Sequence, residues 1–440
     1  MFKSQALRTL ITNSAIMGLG LINSVVLARW LGTAGRGEIA AAMLWPTLLV
    51  YISSLGMITA TIYFAAQPES NAETILTNGI VLSGIQALIA VPVGFWALPR
   101  LLASQSPIVV SASRLYLAII PISLITQYSI SIIQGRMHIA ALNWLRLIIP
   151  VGYLTGVVGF WASGILTLLN IVILQIFLNS VCLIAALGLL YGSGIHPRFG
   201  VNGRLLRQML KYGRRVQVGD ITGLANLSLD QVLMAAFLAP TSLGLYVIAV
   251  SSAAVAQVLS QAVRIVLIPR IAHAPSSEKT VILQQVFRRY WLFSLLVAIS
   301  VGFVLPVVIP LVYGQNFRGA IWPAEVLLVG AFAIGAKEVL AGGAQALGDP
   351  WLGSKAHLWS LAVTVILLSV LLPVMGILGA AVATSVAHTT QLVIVVSGLH
   401  RMHNMSPLRL FSIKVREVPD SVSLLLSLIK PHKSLMAEER

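Results

Sequence analysis

The chain has 440 residues, 58% of them apolar and only 10% charged, with a formal net charge of +16 and a single cysteine. A soluble domain carries about 25% charged residues, so charges this sparse cannot cover a water-facing surface of this size, and lipid must be part of the solvent. The lone Cys182 excludes an intrachain disulfide and a cysteine metal cluster.

Lys3 and Arg8 precede a long apolar run with no small-residue cleavage site after a short core, which predicts an uncleaved first helix rather than a signal peptide. Apolar runs long enough to span then recur at 9–31, 39–66, 75–98, 109–133, 138–161, 164–190, 216–238, 243–268, 287–312, 322–346, 351–373 and 376–399. They lack strict alternation, so helices are expected and a closed barrel is not. The expected fold class is all-α, a polytopic membrane protein with about 12 transmembrane helices.

Basic residues sit at span ends rather than in one domain, which argues for orientation in a bilayer and against nucleic-acid binding. Arg198, Arg204, Arg207, Lys211, Arg214 and Arg215 fill the central loop, Arg270, Lys279, Arg288 and Arg289 a later one, and Arg401, Arg409, Lys414, Arg416, Lys430, Lys433 and Arg440 the tail. All three segments fall inside if the N-terminus is cytoplasmic, which also makes the C-terminus cytoplasmic. The opposite loops hold only Arg29, Arg36, Arg100, Arg114 and Arg318. One loop dissents: residues 67–74 should lie inside, yet they carry Glu69 and Glu73 and no base.

The expected organisation is a six-helix lobe over 1–190, a basic cytoplasmic linker over 191–215, a second six-helix lobe over 216–400 and a basic tail over 401–440. An even number of spans per half relates the lobes by a pseudo-two-fold along the membrane normal. A repeated turn supports this. Leu31-Gly32-Thr33-Ala34-Gly35-Arg36-Gly37 closes the first span, and Leu238-Ala239-Pro240-Thr241-Ser242-Leu243-Gly244 closes the seventh. With Gly37 laid on Gly244, Asn23 falls on Asp230. From Ser406 the tail places Leu408, Phe411, Val415 and Val418 among basic residues, a pattern that suits either an interfacial helix or a disordered basic tail.

There is no nucleotide phosphate loop, no His-Glu-x-x-His and no carboxylate pair in a long outer loop, so transport is favoured over catalysis. Ionisable residues inside spans then carry the functional reading. Arg146 is the first candidate, because a buried guanidinium is a poor packing group and its fork suits phosphate oxygens. Lys337 and Glu338 are neighbours about 100° apart on a helix. They are therefore not expected to share a partner; one could line a cavity while the other pairs with Arg146 or Asp230. Asp230 reads first as a packing acceptor and second as a cavity group. His388 reads first as a hydrogen-bonded interior histidine. Arg264 reads as a snorkelling side chain, Asp220 as a local ion-pair partner of Arg214 and Arg215, and Arg29 and Arg36 as headgroup-level residues or an outer mouth. Asn23, Gln127, Gln134, Asn143, Gln175, Asn179, Asn226, Gln257 and Gln261 could form a hydrophilic groove or hold helices together.

Ala28-Arg29-Trp30-Leu31-Gly32 through Gly37, Asp230 with Leu243-Gly244-Leu245-Tyr246, Leu311-Val312-Tyr313-Gly314 with Phe317, Gln345-Ala346-Leu347-Gly348, and Gly376 with Gly379-Ala380-Ala381 follow one another along the chain. In this order they resemble the bacterial oligosaccharide flippase family, the polysaccharide-transporter branch of the MOP superfamily that also holds the MATE-like drug extruders. The resemblance runs from about residue 5 to about residue 400. It implies two six-helix lobes around a cationic cavity in the bacterial cytoplasmic membrane, with no cofactor. It also implies a substrate, an oligosaccharide on undecaprenyl pyrophosphate. Membrane lipids, a polysaccharide polymerase or assembly proteins are the further partners it implies. Arg146 and Lys337, with Arg29 at the mouth, are the matching candidates, beside Asp230, Glu338 and His388. Asp349 stands where the family often has a base, and the first helix lacks the carboxylate of many drug extruders. A cation-coupled antiporter would instead use Asp230 or Glu338, and a membrane glycosyltransferase would need a catalytic carboxylate in a sizeable outer loop.

Overall fold

The computed structural model describes the backbone of residues 2–412 apart from 68, 199, 258, 262, 265, 266, 268–270, 272–274, 276 and 350, and within these the side chains other than 2–7, 10, 215, 216 and 218–227. The readings made on Asp220, Arg215, Asn226, Arg270 and the tail beyond 412 lie outside the described residues. The described chain runs through α1 (Phe2–Ser53), α2 (Met57–Ala65), α3 (Ala72–Leu101), α4 (Pro107–Tyr116), α5 (Ile119–Gly135), α6 (Ile139–Ala162), α7 (Leu168–Gly192), α8 (Gly203–Phe237), α9 (Pro240–Ala253), α10 (Lys279–Tyr313), α11 (Ile321–Ala346), α12 (Trp351–His403) and α13 (Pro407–Phe411). No strand occurs among the described residues.

Nine helical stretches among the described residues are long and apolar enough to cross a bilayer. Kinks divide two of them, which makes eleven segments against the twelve expected spans. α1 breaks at Gly32 and α12 at Gly376, with φ of 66° and 55°. Both values lie in the left-handed region, which glycine enters without a Cβ penalty. Each broken helix holds two of the expected spans. The seventh span is the apolar end of α8, Ser228–Phe237. α8 starts well before that span, because Asn202 caps it by accepting from the Leu205 amide. Residues 203–215, expected in a linker, are therefore helical.

By contacts the chain forms two compact units, Met1–Val247 with Val312–Phe317, and Ile248–Leu311 with Arg318–Arg440. In the first, Leu27, Ile39, Tyr153, Val157, Ile171, Leu174 and Leu178 make a core between α1, α6 and α7. Gly152 and Gly156, one turn apart on α6, receive the side chains of Leu178 and Leu174. Small residues in that register let membrane helices approach closely. In the second unit, Leu283, Phe287 and Tyr290 of α10 pack on Ala336, Val339 and Leu340 of α11 and on Val395 and Leu399 of α12.

The acidic loop that dissented from the orientation pattern is neutralised locally. Glu73 forms an ion pair with Arg198 from the central loop, and Arg136 donates to the Ser70 carbonyl. Thr77 and Asn78 bond the backbone of Arg198 and Asn202, fixing the loop against the start of α3. The carboxylate thus answers a base from another loop and does not mark a different side of the membrane.

The two turns that echo each other in sequence touch each other within the first unit. A Cβ on Gly37 would land on the Pro240 carbonyl, and a Cβ on Gly244 would land on the Thr33 carbonyl. α8 breaks from α9 here, with Leu238 extended and Pro240 opening α9. Gln105 Nε2 donates to the freed carbonyls of Ala235 and Leu238, at 2.9 and 3.0 Å. A side chain forced into this contact should cost about 1–3 kcal/mol. In a Cys182→Ser, Leu243→Cys background, where position 243 is fully buried, Gly37→Val should raise the maleimide labelling rate at 243 roughly tenfold. An unchanged rate would show that the turns do not depend on that glycine.

Candidate functional site

A cavity of about 590 Å³ opens within the first unit, between the two arms of α1 and the walls given by α6, α7, α8 and α9. The second arm of α1 contributes Arg36, Ile39, Ala40, Met43, Thr47, Leu48 and Tyr51. These recur at helical spacing, so a single face of the arm lines the space. Arg36 stands at its turn end and Tyr51 at the other. The first arm supplies Asn23 and Ser24, α6 supplies Ile149, Pro150 and Tyr153, α7 supplies Gln175, and α8 supplies Ser228 and Gln231. No carboxylate lines the cavity among the described residues.

Three buried polar atoms in this wall have no hydrogen-bond partner: Asn23 Oδ1, Ser24 Oγ and Arg36 Nε. Leaving such groups unsatisfied costs about 1–3 kcal/mol each. Asn23 uses its amide nitrogen on the Pro150 carbonyl at 3.3 Å, which leaves its oxygen free to accept from a ligand. Arg36 is a donor with only neutral polar neighbours in the wall. Chemically, Arg36 can donate to an anion and Asn23 Oδ1 can accept from a hydroxyl, in a chamber whose other polar lining is Thr47, Tyr51, Tyr153, Gln175, Ser228 and Gln231.

The wall ends where backbones meet. Beyond Arg36 lies the Gly37–Gly244 contact. Beyond Tyr51 the helix breaks between α1 and α2, with Gly56 at φ 68°. A Cβ on Gly56 would strike the Gly213 carbonyl of α8. Gln217 donates to the Tyr51 and Ile52 carbonyls at 3.3 and 3.1 Å, and Tyr63 stacks on Tyr212 at 4.6 Å. α8 therefore holds the far end of the chamber through its glycine and glutamine.

The candidates read from the sequence separate into distinct places. Arg146 is exposed on α6 and makes no ion pair among the described residues. It is not buried as expected, yet it shares a helical stripe with Ile149, Pro150 and Tyr153 of the cavity wall. Arg29 is exposed, and its Nε donates to the Val312 carbonyl at 2.6 Å. Asp230 is buried and accepts from the Tyr246 hydroxyl, the packing role. Asn143 bonds Thr9, and Asn179 bonds the carbonyl one turn back on its own helix.

Lys337, Glu338 and His388 lie in the second unit. The expectation that Lys337 and Glu338 diverge is corrected. Lys337 Nζ reaches Glu338 Oε1 at 2.8 Å, because a four-carbon stem bends across the angle between adjacent helix positions. Glu338 also pairs with Arg264 and not with Arg146 or Asp230, so Arg264 does not snorkel. His388 is buried in the packing of α11 on α12, one turn from Ser385, whose hydroxyl donates to the Val326 carbonyl.

Arg36 was placed with the headgroups because the turn was read as running through Gly37. The break falls at Gly32, so α1 resumes before Arg36. The spacing of Arg36 with Ile39, Met43 and Thr47 was the signal available in the sequence.

Comparison with known proteins agrees with this architecture. The profile of a family described as polysaccharide biosynthesis protein matches residues 4–275. A probable low-salt glycan biosynthesis flippase of Haloferax volcanii is 26% identical over 193 residues, 43% of this chain. The match spans 41% of that relative's length. The fold is similar to that of the lipid II flippase MurJ in an inward closed conformation, with a TM-score of 0.79 and 14% identity, covering 96% of this chain and 92% of that one. It is also similar to an inward-facing MATE family multidrug transporter of the MOP superfamily, with a TM-score of 0.70 and 12% identity over 88% of this chain and 94% of that one. The fold is thus the all-helical, two-lobed membrane-transporter fold.

Tyr246→Phe removes the hydroxyl that Asp230 accepts from and should destabilise the full-length protein by about 1–3 kcal/mol, seen as a lower midpoint in thermal unfolding in detergent. An unchanged midpoint would make the pair energetically idle. With the matched segment covering more than half of its length, the chain belongs to the polysaccharide biosynthesis protein family.

Proposed function

We propose that this protein flips a lipid-linked oligosaccharide from the cytoplasmic to the outer leaflet of a bacterial cytoplasmic membrane, supplying cell-surface polysaccharide synthesis. It acts as a carrier and not as a catalyst. The observation that carries the reading is Arg36: a guanidinium with an unpartnered buried nitrogen in a chamber that has no carboxylate among its described lining. Such a site takes an anion, and its neighbouring Asn23, Tyr153 and Gln175 offer hydrogen bonds to sugar hydroxyls. The glycan flippase relative and the family match support the same direction.

The positive-inside pattern puts both termini in the cytoplasm and the 32–37 turn outside. The Gly56–Gly213 contact is then the inner closure and the Gly37–Gly244 contact the outer one. A diphosphate headgroup of the undecaprenyl type enters from the inside past Arg146. Seven residues of α6, about 10 Å of rise, separate Arg146 from Tyr153, which lines the chamber with Arg36. The guanidinium holds phosphate oxygens while the lipid tail stays in the bilayer. Opening of the glycine turns releases the glycan outside, where a polymerase or assembly protein takes it.

A cation-coupled drug antiporter needs an acidic residue in its chamber. The carboxylates available for it, Asp230 and Glu338, are held by Tyr246 and by Lys337 with Arg264. The test is flipping of lipid-linked oligosaccharide by the full-length protein in reconstituted vesicles. Losing a charge-assisted hydrogen bond of about 1.5–3 kcal/mol should slow Arg36→Ala about tenfold or more, and Arg36→Lys less. Wild-type flipping by Arg36→Ala combined with Arg146→Ala would end this assignment. Proton- or sodium-driven drug efflux without glycan flipping would favour the antiporter.

A further inference from the structure

The second unit holds a buried cluster for which cargo binding has no use. Lys337 Nζ lies 2.8 Å from Glu338 Oε1 and 2.8 Å from His357 Nε2, and Arg264 pairs with the other oxygen of Glu338. α11 brings Lys337 and Glu338, α12 brings His357, and the helical stretch after α9 brings Arg264. The neighbouring titratable groups are His388 on α12 and Tyr290 on α10, whose hydroxyl sits against Gly335.

Counted as ions, Arg264 and Lys337 set two positive charges against one carboxylate. The Arg264–Glu338 pair is already a complete pin between helices. Lys337 adds an uncompensated charge at a side chain only 2% exposed. Holding a net positive charge in a buried cluster costs free energy that the shared Glu338 carboxylate offsets only in part. The Glu338 and Arg264 side chains are 23% and 29% exposed, so the cluster grades from partly exposed to buried. The short separation between Lys337 and His357 places two basic nitrogens on one proton.

We propose that Lys337, His357 and Glu338 form a reversible proton-binding site, loaded and emptied through the partly exposed Glu338–Arg264 edge. In the loaded form the Lys337 ammonium donates to Glu338 and to the neutral His357 Nε2. On emptying, one N–H bond of Lys337 breaks and an O–H bond forms on Glu338. That proton then leaves to water, and the cluster falls from one net positive charge to none. Loading is the reverse. A site of this kind lets a proton gradient bias the second unit between two charge states.

The test uses full-length protein in liposomes, with infrared difference spectra recorded as the buffer is switched between acidic and alkaline pH. Wild type should show a shift of an imidazole band, because His357 Nε2 loses the ammonium it accepts from, together with a shift of the carboxylate stretch as Glu338 loses the same donor. Lys337→Arg keeps a cation of similar reach for Glu338 but cannot release a proton, so both signals should be lost while the protein remains folded. Signals of wild-type amplitude in Lys337→Arg would overturn the proposal and reduce the cluster to a pin. An imidazole band lost in His388→Gln and retained in His357→Gln would overturn it as well. If Lys337→Arg does not assemble, His357→Gln replaces it: the amide still accepts from Lys337, so the imidazole band should be lost while the carboxylate shift is kept, and loss of neither would overturn the proposal. No glycan lipid enters this measurement, so its outcome is separate from that of the flipping assay.

Discussion

The structure depends on a place where two backbones touch without side chains between them. Gly37 faces the Pro240 carbonyl and Gly244 faces the Thr33 carbonyl. Each turn needs its glycine because of the other turn's oxygen. This reciprocity gives a physical reason for the echo in the sequence: a contact between two related turns imposes the same steric demand on both partners. The contact holds the resumed arm of α1 against α8 and α9, and Gly56 against Gly213 does so again at the other end. The cavity lies along the helix face between them. At both places the closest approach is backbone to backbone, with Tyr63 stacked on Tyr212 and Gln217 bonded to the end of α1 beside the second.

Much of this was legible from the residues. Apolar run length located the spans, because lipid leaves a chain few alternatives to the helix. The turn echo was visible for the steric reason just given. What the sequence did not disclose was placement on the helix. Arg146 and Arg36 are both arginines near apolar stretches; Arg146 lies on the wall's stripe of α6 but short of the chamber, whereas Arg36 lines it, and run length alone does not separate the two. α1 resumes straight after Gly32 instead of at residue 39, and this moves Arg36 from a loop into the wall. The reasoning on Lys337 and Glu338 failed differently. It treated side chains as rigid spokes, whereas a lysine stem spans the angle between neighbours. The acidic 67–74 loop looked anomalous because its partner, Arg198, lies far along the chain.

The chain treats its two buried cationic centres in opposite ways, and the difference matters chemically. Lys337 sits against a carboxylate that already holds Arg264, so its attraction for any external anion is spent inside the protein. Arg36 has only neutral groups beside it in the cavity wall, Asn23, Ser24, Tyr153 and Gln175. None of these carries a charge to neutralise the guanidinium, so under the proposed function it stays available to a phosphate. Had Arg36 been given a carboxylate partner, the bundle would gain a pin and the chamber would lose its anion preference. On the proposed function, a cation without a carboxylate in the chamber and a cation paired within the helix packing would separate cargo binding from proton binding. A single guanidinium among neutral groups would then orient a phosphate without the ion-pair competition that Lys337 meets in Glu338.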